Sequence, residues 1–129
     1  MRKNLWDFLR EHRYLLPTAI ALLTVLTVVL TLVPTDMLGS SKYWFVDKIG
    51  HTVLFGLWTF LIGLQSMVNT HKPRSLGLIF LVGLVFGIMI ELFQYLLPVN
   101  RSADLWDMIF DAVGCLIAVA SLRFLDPNR

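Results

Sequence analysis

Three short clusters carry the residues able to do chemistry. Asp47, Lys48 and His51 stand together at the head of an apolar run. Glu91 and Gln94 stand near the end of another, and Asp104, Asp107 and Asp111 lead into a third, with Arg101 just before them. An imidazole beside carboxylates can act as a general acid or base, with the carboxylates orienting it or sharing its proton. His51 would be that group, with Glu91 and Asp107 or Asp111 as its partners. The same four side chains offer one nitrogen and several oxygens to a divalent cation, a donor set that suits zinc or manganese. Asp47, Lys48, Gln94, Arg101 and Asp104 would surround the site and bind a polar ligand group. No HExxH pattern, serine nucleophile motif or phosphate loop accompanies them.

The spacing shows why these groups belong together. Residues four apart share one face of a helix. Asp47 pairs with His51 in this way, and Asp107 with Asp111; Asp104 extends the second stripe and Gln94 follows Glu91 by three. Each of three helices thus presents one polar stripe, at one end only. With a rise of ~1.5 Å per residue, His51 lies roughly 6 Å beyond Asp47, Glu91 about 10 Å below Pro98, and Asp111 about 9 Å beyond Leu105. Gly87 and Gly114 sit one turn from the acids. They allow close helix approach, or leave room for a ligand.

The elements that must position these groups are membrane spans. Of 129 residues, 57% are hydrophobic and only 16% charged, against ~25% charged in ordinary soluble domains. Four stretches reach the ~20 residues needed to cross a hydrocarbon core: about 14–33, 49–68, 75–97 and 105–125. The expected fold is an all-α integral membrane protein, a four-transmembrane-helix bundle forming one domain over 1–129. Pro17 falls in a first turn, where its missing N–H does least harm. The N-terminal stretch stays charged too long for a cleavable signal peptide and no A-x-A-like site follows, so the first span is expected to remain as an anchor.

Charge sets the orientation. Arg2, Lys3, Arg10, Arg13, Lys72, Arg74, Arg123 and Arg129 flank one side of the spans; Lys42, Lys48 and Arg101 flank the other. Eight basic residues against three place both termini in the cytoplasm by the positive-inside rule. The polar cluster then lies under the outer surface. A net charge of +2 without a basic stripe gives no sign of nucleic-acid binding. Cys115, the single cysteine, reads as a small core hydrophobe. Tyr43, Trp44, Tyr95 and Trp106 read as an outer aromatic belt, and Trp58 as a packing residue. Gly83 and Gly87 have small-xxx-small spacing that favours contact within the bundle. Taken singly, Lys48 reads as a snorkelling anchor, and Asp36 and Asp104 as solvated loop acids. Carboxylates within a span are costly, face the bundle interior and find partners.

The residues "DKIGHTVLFGLW" and "ELFQYLLPVNRSADLWDMIFDAVG" resemble the VanZ-like family of small bacterial membrane proteins. The family pattern has D-K-x-x-H before an apolar span, E-x-x-Q near the end of the next, an arginine after a short turn, and D-x-x-x-N-x-x-G opening the last. The matches are Asp47, Lys48, His51, Glu91, Gln94, Arg101, Asp107 and Gly114, over roughly residues 45–120. Asp111 stands where the family's asparagine is usual and adds an acid to the site. The resemblance implies a four-span helical protein of the bacterial cytoplasmic membrane, and a tie to resistance against the glycopeptide teicoplanin. Its expected partners are membrane lipids and an amphipathic or lipid-linked ligand, bound or altered at the outer leaflet. Lys48 and Arg101 would meet anionic headgroups, and side chains of spans 2 to 4 would hold the tail. A His/carboxylate or metal-dependent intramembrane enzyme is the second class. A proton-coupled transporter is third, because four spans without an internal repeat are few for alternating access.

Overall fold

A computed structural model describes residues 4–32, 43–70, 75–98 and 104–125. They form five helices: α1 (Leu5–Glu11), α2 (Leu15–Leu32), α3 (Tyr43–Thr70), α4 (Leu76–Leu96) and α5 (Leu105–Leu125). No strand occurs among the described residues. α2 to α5 are long and apolar enough to cross a membrane, and three of them match the expected spans to within a residue or two at each end. Asp36, Arg101 and most of the basic residues that set the orientation (Arg2, Lys3, Lys42, Lys72, Arg74 and Arg129) lie outside the described residues, as does the side chain of Tyr43.

α3 differs from expectation. It starts at Tyr43, not near residue 49, and runs for 28 residues. At ~1.5 Å per residue it is about 42 Å long, more than the ~30 Å hydrocarbon core. Asp47 and Lys48 do not interrupt it because Lys48 pairs with Asp47 on the same helix and with Asp104 and Asp107 at the α5 end. Its mean hydropathy, 1.4 against 1.9 to 2.6 for the other three, is the lowest of the four. α1 was not foreseen. It buries no residue fully, but Trp6 and Leu9 pack against the bundle end remote from the polar stripes.

α3 is the central helix: it packs most extensively against α5, then against α2 and α4. Glycine fixes the closest crossing. A Cβ on Gly56 would lie 3.1 Å from the carbonyl oxygen of Gly114, and a Cβ on Gly114 would collide with the carbonyl of Thr52. α3 and α5 therefore meet backbone to backbone. α4 ends for a local reason. Pro98 disfavours helical backbone at the residue before it, and Leu97 is extended (φ −89°, ψ 144°) while its N–H still donates to Phe93.

Two apolar clusters lie along the bundle. Leu16, Leu64, Met67, Val68, Ile79 and Leu122 fill the end near α1, and Phe55, Ile90 and Cys115 fill the middle. Leu22, Val25, Leu81, Ile88, Leu116 and Ile117 are among many large apolar side chains left exposed. In water such a surface would drive aggregation; against lipid it is the expected exterior. Trp58 is a packing residue, 4.3 Å centroid to centroid from Phe86. It also donates Nε1–H to Thr24 Oγ1 at 2.8 Å, tying α3 to α2. Trp58→Phe keeps the ring stack and loses that bond, and is expected to lower stability by only about 0.6 kcal/mol. Thermal melting in detergent checks this. A loss of several kcal/mol would mean the bond organises the α2–α3 interface.

Candidate functional site

The three polar stripes converge at the bundle end where α3 and α5 begin and α4 ends. Lys48, His51, Glu91, Gln94, Asp107 and Asp111 are all buried. In a lipid-surrounded bundle such groups persist only with partners, and the partners form two linked sets.

Lys48 centres the first. Its Nζ is 2.7 Å from Asp104 Oδ2 and 3.4 Å from Asp47 Oδ2, and it forms a close ion pair with Asp107 Oδ1. At 2% exposure it does not snorkel to the surface, which corrects the expectation for this residue. The physical reason is the ring of three carboxylates, which neutralises an ammonium inside the bundle better than a reach to the headgroups would. Nζ also lies 5.6 Å from the Trp44 ring centroid, within cation–π range.

Asp104 is likewise more than a solvated loop acid. Its Oδ1 accepts the N–H of Trp106 at 2.9 Å, capping α5, while its Oδ2 accepts from Lys48. Its own backbone N–H donates to Glu91 Oε2 at 2.9 Å. One residue thus joins α3, α4 and α5. Partial burial alone would raise its carboxyl pKa. The bonds from Lys48 and the Trp106 N–H outweigh that and hold it below the usual carboxylate range.

His51 centres the second set. Its Nδ1 is 2.8 Å from Asp111 Oδ1, and its Nε2 is 3.6 Å from Asp107 Oδ1. The ring stacks on Phe55 one turn further in, with centroids 5.8 Å apart and planes 10° apart. An asparagine at 111 could also accept from the imidazole. Aspartate adds a negative charge and a second oxygen that carries no hydrogens. Gly87 makes room here, since a Cβ at that position would stand 3.0 Å from Asp111 Oδ2. Gly83 faces Thr59 and Cys115, so both glycines of that pair serve contacts within the bundle. Cys115 is buried beside Thr59, sulfur to hydroxyl 3.2 Å.

Two groups of three ligand-type side chains have atoms within 4.8 Å of one another among the described residues: Asp47, His51 and Asp107, and His51, Glu91 and Asp111. Glu91 Oε1, Asp111 Oδ2 and Gln94 Oε1 are buried with no hydrogen-bond partner among the described residues. Gln94 is turned toward α2, where its Nε2 donates to the Thr31 carbonyl at 2.7 Å.

α2 contributes more than the sequence reading gave it. Thr31 and Thr27 are buried at the α2 face that meets Gln94. Thr24, Thr27 and Thr31 recur at spacings of three and four, a polar stripe that marks an inward face. A partly open cleft of about 170 Å³ lies between α2 and α3, lined by Thr31, Asp47 and His51 on its polar part and Leu30, Val46 and Leu54 on its apolar part. Trp44, Tyr95 and Trp106 are exposed at the same end, as the aromatic belt requires.

Neither a curated protein nor a solved structure matches the chain. The profile of the VanZ/LLP1 family does, over residues 5–126, which takes in all five helices and every described residue of the cluster. The chain is therefore a membrane protein of the VanZ/LLP1 family.

Proposed function

We propose that this protein receives the polar head of an amphipathic envelope molecule at the outer-leaflet end of the bundle, and so acts in envelope homeostasis or in resistance to glycopeptides of the teicoplanin type. The molecule is a phospholipid, a lipid-linked cell-wall precursor or an acylated glycopeptide. The observation that carries this reading is the α2–α3 cleft, which sets His51, Asp47 and Thr31 beside Leu30, Val46 and Leu54. Such mixed lining suits the junction of a polar head with its tail. An apolar groove of about 650 Å³ between α3 and α5, lined by Gly56, Leu57, Phe60 and Ile117 among others, has the character of a tail seat. The basic-residue count supports cytoplasmic termini and an outward-facing cluster in the bacterial cytoplasmic membrane.

The charge balance sharpens what the cluster binds. Among the described residues, Asp47, Glu91, Asp104, Asp107 and Asp111 outnumber Lys48 and His51, and Lys48 already faces three of those carboxylates. Lys48 thus holds acids in place, while hydroxyl, amide or ammonium groups of the ligand suit the acidic lining of the cleft at Asp47. Alteration of the bound molecule is a second reading, favoured by the Asp111–His51 contact of 2.8 Å. A carboxylate so placed fixes the ring's tautomer and supports it as a general base or acid.

His51→Ala and Glu91→Gln variants, inserted at wild-type levels, are expected to abolish the teicoplanin phenotype and any change in envelope lipids seen by mass spectrometry with and without the protein. A changed lipid species that disappears in His51→Ala supports chemistry. Teicoplanin binding with an unchanged lipid profile supports binding alone. A wild-type phenotype in both variants would refute the site.

A further inference from the structure

We propose that His51, Glu91 and Asp111 hold a divalent transition-metal ion of the zinc or manganese kind. Their ligand atoms lie within 4.8 Å of one another, close to the spread required around one ion with bonds of about 2.0–2.2 Å. The independent sign is the state of the oxygens. Glu91 is 4% exposed and Asp111 1%, yet Oε1 of the first and Oδ2 of the second have no donor among the described residues. A buried acceptor without a donor is costly, and a cation held by both side chains would satisfy the two. Glu91 Oε2 is already engaged, accepting from Asp104 N–H, and an ion at His51 Nδ1 would take the place of the proton that this nitrogen shares with Asp111 Oδ1. Glu91 is thus oriented by one oxygen and left open at the other, the arrangement that second-shell bonding gives to metal ligands.

The alternative triad, Asp47, His51 and Asp107, is the weaker candidate, because Lys48 already supplies a cation to both of its acids. The charge count agrees. Two carboxylates and a neutral imidazole around a divalent ion sum to zero, which lowers the cost of keeping the set inside a membrane. Imidazole and carboxylate together suit zinc or manganese more than calcium or magnesium. Three protein ligands leave a position for water or for an oxygen of a bound molecule. Such an ion would also let this acid-rich cluster accept a phosphate oxygen. Gly87 keeps the space at Asp111 Oδ2 clear.

The test uses full-length protein in detergent with no lipid substrate added, so its outcome is separate from the ligand proposed above. Chelator-stripped wild type is titrated with Zn²⁺ and with Mn²⁺. The expected result is about one ion per chain and a raised melting temperature with at least one of the metals. Glu91→Gln and Asp111→Asn should each weaken binding by at least about tenfold. Gly87→Ala, which alters no charge and adds a methyl against Asp111 Oδ2, should weaken it as well. Wild type that binds well under one ion per chain at micromolar metal overturns the proposal, as does unchanged affinity in Glu91→Gln. Should Glu91→Gln fail to fold, the wild-type titration and Gly87→Ala decide the matter.

Discussion

A Lys48→Met variant is expected to lose about 3–5 kcal/mol of stability, the range for breaking a buried ion pair by removing one partner. Methionine nearly matches the length of the lysine stem, so the loss does not come from an empty cavity. It comes from Asp107, which is 2% exposed and would face Asp104 and Asp47 without the Lys48 ammonium. Melting of the purified variant in detergent, with its steady-state level in membranes, reads the effect. Two comparisons identify its cause. Lys48→Met with Asp107→Asn should recover a large part of the loss, because the buried carboxylate that lost the ammonium is itself removed. Asp104→Asn should cost less than Lys48→Met, since Asp104 is about one-third exposed and keeps an amide oxygen for its cap. A lysine that merely anchored the helix at the headgroups would give a change below about 1 kcal/mol in the first variant.

That contrast shows which features a sequence displays and which it hides. The four spans were legible because lipid imposes long apolar helices, and few other patterns satisfy buried backbone. The convergence of His51, Glu91 and Asp111 was legible too, since depth follows from rise per residue and faces from the four-residue repeat. Lys48 was not. Snorkelling and burial both place a lysine near a helix end, and only the three carboxylates arriving from α3 itself and from the α5 end separate them. Asp104 was hidden for a related reason. Its links run partly through main-chain groups, a donation to Glu91 and a cap to Trp106, which side-chain patterns do not show. Thr27 and Thr31 could have been read from their spacing. The mean hydropathy of 2.4 across α2 made that helix look like a plain anchor. The Asp111–Gly87 contact was signalled by a small residue one turn from each acid, though either of its two expected uses, close packing or room for a ligand, fitted the sequence equally.

The second large effect is steric. Gly114→Val is expected to destabilise the protein by about 3 kcal/mol, the upper part of the range for overpacking. Most added atoms are absorbed by a neighbouring side chain that turns aside. Here the obstacle is backbone: a Cβ at 114 runs into the Thr52 carbonyl and comes within 2.9 Å of the Gly56 nitrogen. Neither can rotate away while α3 stays helical, so α3 and α5 must separate. Gly77→Ala is the control, since its Cβ would meet only Ser75 Oγ at 3.5 Å, and it should be neutral or gain up to about 1 kcal/mol of helix propensity. Separation acts on the site as well. Thr52 follows His51 directly, and Gly114 follows Asp111 by less than one turn. A shift at this crossing therefore lengthens the 2.8 Å contact between imidazole and carboxylate. Gly114→Val protein that still reaches the membrane should be as inactive as His51→Ala, although it retains every ionisable group. Wild-type melting and activity in Gly114→Val would mean that the backbone crossing does not position the site.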